Sequence, residues 1–295
     1  MCLPFSGLHS FGNRDTMTHS RRPVITYERN EYGGRLRYSR SVPVDAGYWD
    51  TIWMNTLSKI DFSVYEGGYL PRHIREAFHH VIKPHSRVLE AGCGLGEFTI
   101  AAHALGHEAH GVDYASHIVE ALRERFPDIY FFQGDVTRLS SVENDYYDVV
   151  YSPGVCEHYE EGPEKVLAEA RRVLKSGGTL ITTAPCFNAF RRGIARIGAF
   201  HDEPARYFYQ YAFSPQELTS TLQLIGFKVQ HVRQYGTLGT LYQHLPLASR
   251  LPLEPVQSML RLPIGADQKP LAVALDSIPG VRSWGHSGVW ISQKI

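Results

Sequence analysis

Three shortages frame this 295-residue chain. Cysteine is scarce: Cys2, Cys93, Cys156 and Cys186 are scattered, and none has a close neighbour of the kind that builds a zinc site, so no metal centre is expected. An excess of either charge is missing too. Thirty Lys and Arg balance thirty Asp and Glu, so no global field draws the protein toward nucleic acid or an anionic membrane. Long apolar runs are absent, since no stretch of about 18 uninterrupted apolar residues is present to span a bilayer. The opening MCLPFSGLHSFGNRD lacks the basic-then-apolar order of a secretory signal. Together these absences predict a cytoplasmic, reducing setting, no transmembrane segment and no nucleic-acid partner. What is present is ordinary for a globular chain: 43% hydrophobic and 20% charged residues. The length suffices for one elaborated domain or a domain with a lid.

Residues 1–45 are rich in Arg, Ser, Tyr and Gly without periodicity and read as a loosely ordered arm. Tyr48 to Leu57 reads as a short aromatic helix, and Ile74, Ala77, Phe78, Val81 and Ile82 share a helical face behind Pro71. From Arg87 to Pro185 strand and helix patterns alternate: RVLEAG, EAHGVDY, IYFFQGD, YDVVYS and GTLITTAP as strands, with helices between. The last of these helices runs from Pro163 to Lys175, with Gly177 placed to close it. Such alternation implies βαβ units and a parallel sheet covered by helices on both faces. Ser214 and Glu217 form a capping-box pattern around Pro215, and that helix leads past Gly226 into FKVQHV. SGVWISQKI reads as a last strand. The expected division is an arm at 1–45, a core at 46–235 and 285–295, and a Leu/Pro-rich insertion at 236–284 that serves as a lid or acceptor-binding part.

The chemistry-bearing signal is E-A-G-C-G-L-G, Glu90 to Gly96, between the first strand and its helix. Glycines permit a sharp turn and close approach of backbone to ligand, and the amides opening the helix face that ligand. A dinucleotide fingerprint G-x-G-x-x-G counted from Gly92 requires glycine where Glu97 stands. A carboxylate there opposes a pyrophosphate but not a sulfonium amino acid, which favours S-adenosylmethionine over a nicotinamide cofactor. Asp113 ends the second strand, where a carboxylate accepts both ribose hydroxyls in either cofactor class; a turn aspartate is the plainer reading. Asp135 ends the third strand, placed for an adenine amino group or, again, for a turn.

In order and spacing these residues resemble the class I S-adenosylmethionine-dependent methyltransferases, in particular the small-molecule, ubiquinone-type (type 11-like) branch. V-L-E-A-G-C-G-L-G-E-F, G-V-D-Y-A, Q-G-D-V, D-V-V-Y-S-P-G-V-C-E-H and A-R-R-V-L-K-S-G-G-T-L-I-T-T-A-P carry the resemblance, over residues 85–186, about a third of the chain. It implies a Rossmann-like, seven-stranded, mostly parallel sheet with the last strand antiparallel, an N-terminal helical lid and helical insertions. It implies a methyltransferase with S-adenosyl-L-methionine as cofactor and S-adenosyl-L-homocysteine as product. By the same resemblance Glu90, Gly92 and Gly94 hold the methionine part, Asp113 the ribose, and Asp135 with Val136 the adenine. Ser152, Gly154 and Val155 line the floor beside the sulfonium. Gly96 and Tyr114 complete the cofactor contacts, and Trp49 closes over them from the aromatic helix.

Methyl transfer is an in-line displacement, so positioning supplies much of the acceleration and a general base is optional. His158, after the fourth strand, is the candidate base; packing of the loop is its plainer role. Some ubiquinone-pathway relatives bind a divalent metal through an acid at the place of Gly154, which argues against a metal here. His201, Tyr207 and Tyr211 are candidate acceptor contacts, in a segment that walls the acceptor pocket of relatives. The expected acceptor is a small, hydrophobic molecule, with O-methylation favoured. A protein or glycan acceptor and a non-catalytic binding module are the alternatives. An Asn-Pro-Pro-Tyr-like signature of base-methylating enzymes is absent, Ser152-Pro153-Gly154 standing in its place.

Overall fold

The computed structural model describes residues 23–201, 203–237, 240 and 276–295. Residues 1–22 of the expected arm and most of the 236–284 insertion lie outside the described residues.

The central sheet grows from strands that are apolar and buried on both faces at its middle and mixed with polar residues at its edges. In chain order these are β3 (Arg87–Ala91), β4 (Glu108–Asp113), β5 (Tyr130–Gln133), β6 (Tyr147–Pro153), β7 (Leu174–Pro185), β9 (Phe227–Tyr235) and β10 (Ser287–Lys294). They assemble in the order β5-β4-β3-β6-β7-β10-β9. The β3–β4, β3–β6, β4–β5 and β6–β7 pairs are parallel, and β10 runs antiparallel to both β7 and β9. The expected Rossmann-like sheet with a reversed last strand is therefore present.

Strand alternation feeds two cores. Val88, Val149, Ile181, Val289 and Ile291 face one side, with Phe98 of α4 (Glu97–Ala104) and Ile118 of α5 (Ser116–Arg125). Leu89, Val150, Leu180 and Trp290 face the other, with Val166 and Leu167 of α6 (Glu164–Val173) and Leu218 of α8 (Pro215–Ile225). The first core also takes Trp49 of α1 (Ala46–Leu57), Tyr65 of α2 (Ser63–Glu66) and Phe78 of α3 (Arg72–Val81). Two further helices are α7 (Ala189–Arg196) and α9 (Pro279–Arg282).

Three local expectations need correction. Residues 24–40 do not belong to a loose arm: β1 (Val24–Glu28) and β2 (Arg35–Arg40) form an antiparallel sheet completed by β8 (Tyr207–Ala212). The third strand comes from far along the chain, so no local periodicity announces it. Helix α6 ends at Val173, and β7 begins at Leu174 with no glycine cap between them. Gly177, at φ 75°, instead lies within the irregular start of β7, where the β6 register shifts. The capping pattern at α8 is also half used. Ser214 Oγ accepts from the Glu217 amide (3.1 Å), while the Glu217 carboxylate is taken by Asn30 Nδ2 (2.9 Å) and Arg35 (3.5 Å) of the small sheet.

Candidate active site

The strand order reverses between β3 and β6, and the crevice at their carboxyl ends is where open α/β sheets take ligands. Gly92, Gly94 and Gly96 there hold φ of 77°, 48° and 70°, left-handed values that side chains resist. The Gly92 and Cys93 amides both donate to the Val112 carbonyl at 2.8 Å, tying the turn to β4. A Cβ on Gly92 would stand 2.5 Å from Val155 Cγ2, and one on Gly94 would stand 2.9 Å from the Trp53 indole. The turn is thus packed by β6's end below and by α1 above, which explains the alternate glycines by close approach rather than by flexibility.

Acidic strand ends surround the turn. Glu90 is buried, and its Oε2 accepts from the Thr99 amide (2.9 Å) and hydroxyl (2.6 Å) of α4. Burial pushes its carboxyl up to about 8 despite those two bonds. Asp113 is also buried. Its Oδ2 accepts from the Gly94 amide (2.8 Å) and its Oδ1 from the Ala115 amide (3.0 Å), with burial the larger influence, raising its pKa. Asp135 differs: it is exposed, and Oδ1 accepts from the Thr137 amide and hydroxyl, both at 2.8 Å, in a local turn. Val136 beside it is buried and Tyr114 is exposed. Ser152, at the end of β6, is fully buried and its hydroxyl has no hydrogen-bond partner.

A second cluster sits beyond β6, where a 3-10 turn, Cys156–His158, carries Glu157 and His158. His158 Nδ1 lies 2.8 Å from the Tyr209 carbonyl of β8 and, as the donor to it, fixes the neutral tautomer. Nε2 then offers a lone pair, and it is sealed from solvent without a partner. Burial lowers the imidazole to about 4. Glu157 is buried with Oε2 likewise unpartnered, and burial raises it to about 8. Aromatic rings enclose the imidazole: Trp49 at 4.9 Å between centroids and 74° between planes, and Tyr209 at 5.3 Å and 59°. Trp49 in turn stacks on Trp53 at 5.7 Å and on Tyr209 at 6.4 Å.

The structure therefore brings together Glu90, Gly92, Gly94, Gly96, Asp113 and Val155 around the turn, and places Trp49 against His158. It does not gather the three candidate acceptor residues. His201 is exposed, its amide bonded to Ile25 O (3.0 Å) at the edge of β1. Tyr207 is half-buried opposite Arg40, and Tyr211 is buried in the other core with its hydroxyl donated to the Glu160 carbonyl (3.1 Å). Tyr209, between them, is the residue that reaches His158. The reason is a register shift: Tyr38 pairs with Gln210 and Ser39 with Phe208, so Tyr209 bulges and is re-aimed. Strict alternation along Tyr207-Tyr209-Tyr211 hides that difference.

A seven-stranded sheet of this order and a G-x-G-x-G turn at its switch point define a class I methyltransferase fold. Residues 89–182 match the type 11 family model described as a methyltransferase domain. A Mycolicibacterium smegmatis protein named "Probable S-adenosylmethionine-dependent methyltransferase" is 30% identical over 155 residues, covering 52% of this chain and 55% of that protein. Demethylmenaquinone methyltransferase of Renibacterium salmoninarum is 33% identical over 111 residues, 37% of this chain and 46% of that enzyme. Among solved structures, the complex of the Haloferax volcanii Trm112 methyltransferase activator with its methyltransferase partner supplies a similar chain. The TM-score is 0.52 at 17% identity, over 86% of this chain and 99% of that one, a likeness of fold. The matched stretches span about half the length of the two curated relatives. The chain carries a class I S-adenosylmethionine-dependent methyltransferase domain of the type 11 branch, and S-adenosylmethionine is the cofactor of that family.

Proposed function

We propose that this chain is an S-adenosylmethionine-dependent methyltransferase that acts on a small molecule through an oxygen nucleophile. The carrying observation is His158: a neutral imidazole with Nδ1 committed to the Tyr209 carbonyl and an unpartnered, buried Nε2 near the end of β6. The residues present suit the cofactor. The left-handed glycine turn presents bare backbone, Asp113 retains acceptor capacity beside its two amide bonds, and the Ser152 hydroxyl is an orphaned buried donor. When bound, the cofactor supplies an electrophilic methyl group on a sulfonium.

In this reading Glu90 and the Gly92–Gly96 turn hold the methionine part, Asp113 the ribose, and Val136 packs on the adenine with Asp135 and Tyr114 at the rim. Ser152 and Val155 line the floor, and Trp49 and Trp53 cover the site from α1. His158 Nε2 accepts the proton of the acceptor hydroxyl as the oxygen attacks, and the enclosing rings exclude water. The Glu157 carboxyl, held protonated by burial, leaves no second negative charge beside the nucleophile. Among the described residues no helix is long and apolar enough to cross a membrane. The buried free thiols of Cys93, Cys156 and Cys186 suit a reducing compartment such as the cytoplasm.

The first measurement is calorimetry with S-adenosylmethionine and S-adenosylhomocysteine, with NADH as control. Binding of the sulfur ligands alone is expected; NADH binding alone would sink the reading. His158→Ala should then slow transfer to a hydroxylated acceptor by about 10²-fold or more with S-adenosylhomocysteine affinity unchanged. Unchanged turnover removes His158 as the base.

A further inference from the structure

We propose that Arg40 is an anion anchor for the methyl acceptor, binding a carboxylate or similar oxyanion carried by the molecule to be methylated. This rests on the reading that the acceptor lies against His158. The strand β2 reads R-L-R-Y-S-R, and its arginines part company by face. Arg35 is paired with Glu28 (2.9 Å) and Glu217 (3.5 Å), and Arg37 with Glu160 (2.5 Å) and Glu28 (3.8 Å). Arg40 follows Leu36 and Tyr38 onto the opposite face, toward the core that holds Trp49 and Tyr209. There it has no carboxylate within 4.0 Å among the described residues. Its guanidinium lies 4.2 Å over the Tyr209 ring and 5.8 Å from the Tyr48 ring, and its Nε is sealed from solvent with no hydrogen-bond partner.

Arg40 is half-buried, and its planar fork, with no carboxylate beside it among the described residues, matches an incoming carboxylate or phosphate. Two more unpartnered polar atoms stand nearby on the ladder. Tyr38 Oη and Gln210 Oε1 belong to residues directly opposite each other across β2 and β8, and both are sealed from solvent. Tyr209 ties this anion corner to the chemistry, because its one ring meets Arg40 and the His158 imidazole. An acceptor spanning the two places its anion on Arg40 and its hydroxyl at Nε2. The anion also has a second effect: after burial, the Arg40 charge is one of the influences lowering His158, so neutralising it makes the imidazole a stronger base.

The test is a titration of the full-length protein with benzoate, phenyl phosphate and the neutral isostere benzamide, followed by tryptophan fluorescence, with and without saturating S-adenosylhomocysteine. An oxyanion is expected to bind about tenfold or more tighter than benzamide. Arg40→Gln should abolish that preference while S-adenosylhomocysteine affinity and the melting curve hold. Arg40→Lys should recover only part of it, since an ammonium lacks the fork. Preference for phenyl phosphate over benzoate assigns the anion as a phosphate; the reverse assigns a carboxylate. Equal binding of benzamide and both anions, or no detectable binding of any, overturns the proposal on the wild-type protein alone, whatever the fate of the variants. A failure of S-adenosylhomocysteine to bind would strike the methyltransferase reading instead, and the cofactor-free titration would still report on Arg40.

Discussion

Asp113 shows how one side chain serves architecture and recognition together. Its two oxygens hold the Gly94 and Ala115 amides, so the carboxylate fastens the glycine turn to the start of α5 before any ribose arrives. Asp113→Ala leaves both donors unpaired in a dry site, at a cost of about 2–3 kcal/mol. Loss of cofactor binding in that variant is expected to come with a lowered urea midpoint. A wild-type midpoint would mean that these bonds contribute nothing net. Titration gives a second residue-scale prediction. Glu90 and Glu157 stay protonated up to about 8 in the fold, whereas an unfolded chain releases those protons near the ordinary value of 4.5. The native state then holds more protons than the unfolded one through that window, so stability falls as pH rises from about 4.5 to 8. His158 acts oppositely: with a native value of about 4 against 6.5, its contribution is lost as pH falls through that window. Glu157→Gln should therefore flatten the decline in unfolding free energy between pH 5 and 8, by an amount on the order of a few kcal/mol at most. An identical pH profile in the variant would show that Glu157 is not held neutral.

At the scale of elements, a borrowed cap helps tie α1 to α5 beside the glycine turn. Helix α5 starts behind Ala115, which has no side chain to accept its first amides. Asp50 of α1 supplies the acceptor, taking the His117 and Ile118 amides at 3.1 and 3.3 Å, and its Oδ2 lies 3.0 Å from the His117 ring. Asp50→Ala should cost about 1–2 kcal/mol, the usual range for a lost cap, and should weaken S-adenosylhomocysteine binding as Trp49 and Trp53 lose their seat. Chemical denaturation and calorimetry would check both; a variant destabilised but binding normally would separate the cap from the cover. This contact also marks where sequence reasoning stops. The β3 turn, the acid at the end of β4 and the strands of the main sheet are legible because each depends on residues a few positions apart. β1 and β2 were not, because their sheet is completed by β8, roughly 170 residues later. Tyr209 stands in the same segment as Tyr207 and Tyr211, and the sequence does not set it apart from them for a subtler reason. One bulge decides which tyrosine of β8 meets His158, and a bulge is set by pairing with β2 rather than by the composition of β8.

Across the whole molecule, the site divides between two sheets, and the Tyr209 carbonyl of the smaller one reaches the His158 ring beyond β6 of the larger. The glycine turn, Glu90, Asp113 and Ser152 all belong to the seven-stranded sheet and its connections. Tyr38, Arg40, Gln210 and the Tyr209 carbonyl that sets the His158 tautomer belong to the three-stranded one. Cofactor binding and acceptor chemistry should therefore be separable by damaging the smaller sheet alone. Ser39 is the place to do so: it is fully buried in β2, the middle strand, opposite Val24 on one side and Phe208 on the other. Proline there removes a ladder donor and fits poorly in a central strand. Ser39→Pro in the full chain is expected to keep S-adenosylhomocysteine affinity within about threefold, a change of less than 1 kcal/mol. The same variant should lose oxyanion binding and methyl transfer, because Arg40 is displaced and His158 Nδ1 no longer has its carbonyl. Cofactor affinity lost in step with acceptor binding, while the main sheet's slow-exchanging amides stay protected, would show that the small sheet also holds α1 over the turn. The two functions would then be one cooperative unit rather than two.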